Sequence, residues 1–292
     1  MNPVFDPRAV RRAFGRAART YTQAAALQRE VESRLLEQLV YLDDRVPSRV
    51  LDLGSGPGSA SAALKAKWGR KSDLIAMDLA LPMLREVRAT SRFWRPIHAV
   101  QADAQALPFA EGAFDLVVSS LCLQWVADLP KALGELRRVM REGGLLVFTS
   151  FGPDTLVELR EAYAQAGLAP PLSPFAAIQQ IGDALVAQGF RNPVIERDVY
   201  TLTYADTNAL MRELKAIGAT DARADRPRGL SGRSRHRAVA AAYEPLRRDG
   251  VLPSTWEVVT AMAWAPPPGA ARREGGADIA TFPVDKLTIR KR

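Results

Sequence analysis

The chain has 292 residues, enough for a well-buried core in one large α/β domain with an insertion. It is 47% hydrophobic and 25% charged, as in ordinary globular proteins, and no apolar run reaches the roughly 20 residues a helical bilayer span needs, so a membrane helix is excluded and a cytoplasmic location expected. The single Cys122 excludes an internal disulfide, His98 and His236 are too few to suggest a zinc site, and a net charge of +8 favours an acidic partner.

In chain order, residues 6–39 predict one or two amphipathic helices, which with their flanks form an N-terminal cap over residues 1–48. From Arg49 to Ser150, short β-rich runs alternate with helical segments, the pattern of a mostly parallel sheet covered by helices on both faces. Strands are expected at 49–53, 73–78, 97–101, 114–120 and 144–150, and helices at 60–68, 81–90 and 131–140, the last stopped by Gly143-Gly144. Beyond them, Pro153 and Asp154 signal a helix over 154–166, and a second runs over 176–188 to Gly189. Residues 194–204 and 255–264 are rich in β-branched and aromatic types and suit an antiparallel hairpin at the sheet edge. The roughly fifty residues between them are too many for a turn and predict a helical substrate or lid insertion. The expected division is therefore a core of 49–204 and 254–266, an insertion of 205–253, and a basic tail of 267–292 that follows the irregular segment 266–269.

The run Val50-Leu-Asp-Leu-Gly54-Ser-Gly56-Pro-Gly58 sets three glycines after a strand and before a helix. Lacking Cβ atoms, Gly54, Gly56 and Gly58 permit a sharp turn and close approach of a ligand, while the next helix offers free N–H groups. The plain alternative is a tight turn. Asp78, with Leu79 beside it, ends the second strand twenty residues after Gly58, where a doubly wound fold places an acid for ribose hydroxyls. A helix N-cap is its competing role, although it stands early for one. Asp103, followed by Ala104, reaches the same crevice and suits an adenine amino group, or else caps a turn. The spacing Gly-x-Gly-x-Gly, with Ser59 next, departs from the Gly-x-Gly-x-x-Gly of nicotinamide enzymes.

The first motif, together with Ala102-Asp-Ala-Gln-Ala-Leu-Pro-Phe109, Phe114-Asp-Leu-Val-Val-Ser-Ser120 and residues 133–147, closely resembles class I methyltransferases. The resemblance implies a Rossmann-like, seven-stranded fold that binds S-adenosyl-L-methionine. The loop of Gly54, Ser55, Gly56 and Gly58 would lie against its methionine portion, Asp52 would order its amino end, Asp78 would take the ribose, and Asp103 with Ala104 would border adenine. Ser119 or Ser120 would face the sulfonium.

Four further segments, Val10 to Tyr21 with Leu27-Gln28, Ser119 to Trp125, Phe151 to Leu156 with Glu158-Leu-Arg160, and Pro253 to Val258, look like one subfamily, the malonyl-acyl carrier protein O-methyltransferases of biotin synthesis. This likeness spans nearly the whole chain. It implies that Tyr21 closes over the cofactor, that Gln124 and Trp125 line the methyl-transfer site, and that malonyl-acyl carrier protein or malonyl-CoA is the partner. Ser55 stands where the family commonly has Cys. A malonyl carboxylate is already ionised at neutral pH and needs no general base, which agrees with the lack of a His-centred dyad. It needs an orienting cation, for which Arg226, Arg228, Arg233 and Arg235 are the candidates. The same arginines suit docking of an acidic carrier protein, or are simply solvated. Without aromatics between them they suggest no nucleic-acid stripe. A methyltransferase of another small acid or quinone precursor, and a non-catalytic assembly factor on the same fold, are the competing readings.

Overall fold

The structure, a computed structural model, describes residues 5–42, 45–91, 93–94, 96–171, 174–224, 232–266, 272–274 and 277–279. Two helices open the chain, α1 (Pro7–Ala24) and α2 (Ala26–Glu37). Asp6 caps α1 by accepting the Arg8 N–H, and Pro7 occupies the first helical position, where its missing N–H costs nothing.

Seven strands follow: β1 (Arg49–Leu53), β2 (Asp73–Asp78), β3 (Ile97–Gln101), β4 (Phe114–Ser119), β5 (Met140–Phe151), β6 (Arg191–Tyr204) and β7 (Leu252–Trp264). They form one sheet in the order β3-β2-β1-β4-β5-β7-β6. β1 to β5 pair in parallel, and β7 runs antiparallel between β5 and β6. The central strands are buried on both faces, so their side chains divide by parity. Leu51, Leu53 and Val117 pack with Leu133 and Leu136 of α5 (Leu129–Val139) and with Ile181 and Leu185 of α7 (Ile178–Ala187). Val50, Leu116 and Val118 pack with α2, α3 (Ser59–Trp68) and α4 (Leu81–Thr90) through Leu35, Leu64 and Leu84.

Between β6 and β7 lies the expected insertion, with α8 (Thr207–Ala216) and α9 (Arg233–Tyr243). Its buried Leu210, Leu214, Val239 and Tyr243 join Trp256 and Val258 of β7 and Leu159 of α6 (Val157–Gln165) in a separate apolar cluster. That cluster anchors the insertion over the end of the antiparallel edge.

Two boundaries differ from expectation for identifiable reasons, the end of α5 and the start of α6. Gly143-Gly144 does not stop a helix: α5 ends at Val139, and β5 already begins at Met140, which pairs with Phe114. Gly143, at φ 69°, instead lets the strand bend while its N–H bonds to the Ala265 carbonyl. Helix α6 starts at Val157 rather than Asp154, because Leu156 adopts φ 57°, outside the right-handed helical region, with its N–H bonded to the Thr255 carbonyl. Within the expected tail, β8 (Arg272–Glu274) and β9 (Ala277–Ile279) pair antiparallel with each other. Of the expected irregular segment, 267–269 lie outside the described residues.

Candidate active site

In this strand order β1 has β2 on one side and β4 on the other, with connecting helices packed on opposite faces, so a crevice opens beyond the carboxyl ends of β1 and β4. The glycine loop floors it. Gly54, Gly56 and Gly58 all have positive φ, at 70°, 52° and 93°. A Cβ on Gly54 would stand 2.3 Å from Cys122 Sγ, and one on Gly58 2.9 Å from Val87 Cγ2, so both are also sites of close approach. At Gly56 a Cβ would meet nothing within 4 Å and would project into open space.

The loop's donors are engaged internally rather than offered outward. Gly54 and Ser55 donate to the Met77 carbonyl at 2.7 and 3.0 Å, and Gly56 donates to Asp78 Oδ2 at 3.0 Å. The α3 N-terminus is similarly met by acids: hydrogen bonds from Ser59 and the Ala60 backbone reach Glu32, and from Ser61 reach Asp52. The expected free N–H groups are thus replaced by carboxylates at the positive helix end, a favourable placement in itself.

Above the loop the crevice has two lobes, which share Tyr21, Gly54, Gly56 and Ser120. Asp78, Leu79, Asp103, Ala104 and Trp125 line the first, roofed by Phe14 from α1. Asp52, Ser55, Gly58, Gln28, Arg29 and Glu32 line the second. Tyr21 stands where the lobes meet, and burial, followed by the charges of Glu32 and Asp78, pushes its phenol upward in pKa.

The electrostatics favour a cation. Burial pushes Asp52 up to about 7 against the bonds from Ser61, and Asp78 up to about 6 against the N–H groups of Ala80 and Gly56. Glu32 is also raised by burial. Each of these acids would be relieved by a positive group between them. Cys122 is pushed up to about 12, first by burial and then by the charge of Asp78, so it is a neutral thiol.

Tyr21, Asp52, Gly54, Ser55, Gly56, Gly58, Asp78, Leu79, Asp103, Ala104, Ser120 and Trp125 thus surround one crevice. Asp103 also makes a local turn, with Oδ1 accepting from the Gln105 backbone at 2.9 Å. Three expectations need correction. Ser119 is fully buried and donates to the Leu53 carbonyl at 2.9 Å, because its position in β4 points it into the sheet, leaving Ser120 to reach the crevice. Gln124 does not line the crevice: it is buried, with Nε2 bonded to the Leu121 carbonyl at 2.7 Å in a short 3₁₀ turn. Arg233 and Arg235 are exposed on α9, away from both lobes, and Arg226 and Arg228 lie outside the described residues.

Sequence reasoning missed Glu32, Arg29 and Phe14 as crevice residues. They sit on polar and apolar stripes of ordinary amphipathic helices, and only the packing of α1 and α2 across the strand ends reveals them.

Residues 51–148 match a family model described as a methyltransferase domain. A malonyl-[acyl-carrier protein] O-methyltransferase of Xylella fastidiosa is 51% identical over 100% of this chain and 99% of its own length. One from a Methylovorus species is 46% identical over 93% of each chain. Among solved structures, a Bacillus halodurans protein assigned as a methyltransferase superposes with a TM-score of 0.57 at 17% identity, covering 80% of this chain and 99% of its own, a likeness of fold. With its strand order, its acid-lined crevice and this full-length similarity, the chain belongs to the malonyl-[acyl-carrier protein] O-methyltransferase family.

Proposed function

We propose that the protein transfers a methyl group from S-adenosyl-L-methionine to the free carboxylate of a malonyl thioester carried on acyl carrier protein, an early step of biotin synthesis as the sequence resemblance implies. The observation that carries this reading is the convergence of Asp52, Asp78, Asp103 and Tyr21 on one two-lobed crevice in a chain similar over its full length to named malonyl-[acyl-carrier protein] O-methyltransferases.

The residues fit the cofactor. Ser55, which lines the second lobe, has a buried Oγ with no hydrogen-bond partner among the described residues, Gly56 leaves open space above the loop, and the raised Asp52 and Glu32 suit an ammonium. Arg29, on the rim of the same lobe, suits the accompanying carboxylate. Asp78 and Asp103 in the first lobe suit ribose hydroxyls and an adenine amino group. When bound, the cofactor supplies an electrophilic methyl on a sulfonium.

The protein's own part is position and dryness. The acceptor carboxyl has an ordinary carboxylate pKa of about 4, so at neutral pH it is a nucleophile without proton transfer. Tyr21, its hydroxyl held neutral by burial, lines both lobes and is able to donate a hydrogen bond there. Trp125, flanked by Phe5 and Phe14 with ring centroids 5.6 and 5.3 Å away, gives the crevice an apolar wall that keeps water from competing. Exposed Arg233 and Arg235 on α9 suit the acidic surface of a carrier, chiefly by steering its approach.

The test is mass analysis of malonyl-acyl carrier protein after incubation with the protein and S-adenosyl-L-methionine. A single added methyl, removable by esterase, is expected; an unchanged carrier mass overturns the reading.

A further inference from the structure

Beside the first lobe lies a second, small hollow, and among the described residues Trp125 alone is common to the linings of both. Its walls come from parts of the chain the crevice does not use: Phe151 at the end of β5, Leu156 before α6, Phe175, Leu214 of α8, and Trp256 of β7. The insertion closes one side with Ala219, Thr220 and Asp221, and the Asp221 carboxylate is already paired with Arg223 at 3.0 Å. The hollow is otherwise apolar. Trp256 is 2% exposed, packs on Phe151 with ring centroids 5.2 Å apart, and its indole N–H has no hydrogen-bond partner among the described residues. A buried donor left unmatched is costly and is a mark of a site that a ligand completes.

We infer that this hollow receives the thioester end of the acceptor, with the Trp256 Nε1–H donating to the thioester carbonyl oxygen. The assignment rests on the functional reading above. A largely apolar chamber, whose polar lining is the Trp256 indole, the Thr220 hydroxyl and an Asp221 already paired with Arg223, suits a neutral thioester and its polarisable sulfur, whereas a carboxylate buried there would lose its hydration beside the Asp221 charge. The acceptor's two ends are therefore sorted by polarity. The thioester stays among Phe151, Phe175 and Trp256, and the carboxylate is directed past Trp125 into the crevice. Trp125 is then the partition across which the malonyl unit reaches, a position consistent with its place between Phe5, Phe14 and the hollow. Leu156 helps hold the chamber's shape: its positive φ is fixed by an N–H bond to the Thr255 carbonyl at 2.7 Å, next to Trp256.

The experiment is calorimetric titration with malonyl-pantetheine in the presence of S-adenosylhomocysteine, which prevents turnover. Trp256→Phe keeps the ring and removes the donor; Ala219→Phe fills the chamber from the insertion side. Both are expected to weaken malonyl-pantetheine at least about tenfold, the loss of one buried hydrogen bond for the first, while S-adenosylhomocysteine alone binds as in the unaltered protein. Wild-type affinity for malonyl-pantetheine in both variants overturns the assignment, as does parallel loss of S-adenosylhomocysteine binding, which would mark these residues as structural. If the unaltered protein methylates malonyl-carrier protein, such a result removes this assignment alone; absence of that methylation removes the functional reading.

Discussion

Asp78 at the end of β2 is bonded to Gly56 in the loop after β1: Oδ2 accepts the Gly56 N–H at 3.0 Å, while Oδ1 accepts that of Ala80 at 2.7 Å. One carboxylate thus ties the glycine loop to the neighbouring strand and stands in the crevice with its remaining lone pairs. Asp78→Ala is expected to weaken S-adenosylhomocysteine about 100-fold, since a hydrogen bond to a charged group contributes about 1.5–3 kcal/mol and the loop also loses its tie. Asp78→Asn, which keeps one acceptor oxygen, should fall between. Calorimetry showing a change below threefold for the alanine variant would remove Asp78 from the cofactor site.

Much of this site was legible because it is local. The three glycines, Asp78 and Asp103 occupy strand-end positions that the chain order alone implies. What was not legible depended on tertiary choices. Ser119 and Ser120 are adjacent and chemically alike, and only where β4 ends decides which one turns into the crevice. The start of α6 is set by Leu156, whose φ of 57° goes with an N–H bond to the carbonyl of Thr255, 99 residues away in sequence. Glu32 and Arg29 carry no signal in their own helix; they become crevice residues when α2 crosses the end of β1.

Stability should fall with rising pH through the titration of the crevice acids. Asp52 at about 7 and Asp78 at about 6 both lie above the unfolded value near 4, so each takes up a proton more readily in the folded state. Their contribution is full below about pH 4 and is lost progressively as pH rises through about 6 to 7. Asp52→Asn removes the larger penalty and should raise the thermal midpoint at pH 8 more than at pH 5, while weakening cofactor binding. A midpoint gain of equal size at both pH values would show that Asp52 is not the titrating group.

Gly54 is expected to resist even the smallest side chain. An alanine there would hold φ near 70° and set its Cβ 2.3 and 2.4 Å from Sγ and Cβ of Cys122. Strain of this kind costs about 1–3 kcal/mol and should displace the 121–125 turn that carries Trp125. Because the clash includes the Cys122 Cβ, Cys122→Ala should be tolerated alone yet fail to rescue Gly54→Ala. Thermal melts in which the double variant regains wild-type stability would contradict this geometry.

Glu257, 3% exposed in β7, accepts from Arg197 Nε at 2.5 Å and from the Asp154 backbone at 2.7 Å, so it locks the turn after β5 to the antiparallel edge. Glu257→Ala leaves the Asp154 N–H unmatched and a cavity beside Gly152, and should cost about 2–4 kcal/mol. Arg197→Ala should cost clearly less, because the half-exposed guanidinium remains largely screened by solvent. Urea unfolding midpoints that rank the two in the opposite order would show that the lock depends on the ion pair rather than on the buried acceptor.

Arg233, Arg235 and Arg237 are all exposed in the first turns of α9, Arg233 and Arg237 on one face and Arg235 round the helix from them, and no acid lies in the helix's first turn. A concentrated positive field on a solvent-facing helix speeds encounter with an acidic partner and is screened beyond a Debye length of about 8 Å at physiological salt. Reversing both charges, Arg233→Glu with Arg235→Glu, should therefore lower kcat/KM for malonyl-acyl carrier protein about tenfold at low ionic strength, with most of the difference vanishing by about 0.5 M salt. Malonyl-pantetheine, which lacks the carrier's surface, should be methylated at an unchanged rate by the same variant. This split separates docking from chemistry, since a charge reversal that disturbed the crevice would slow both acceptors alike. Equal turnover of the carrier-bound acceptor at low salt would place the carrier on another face of the molecule.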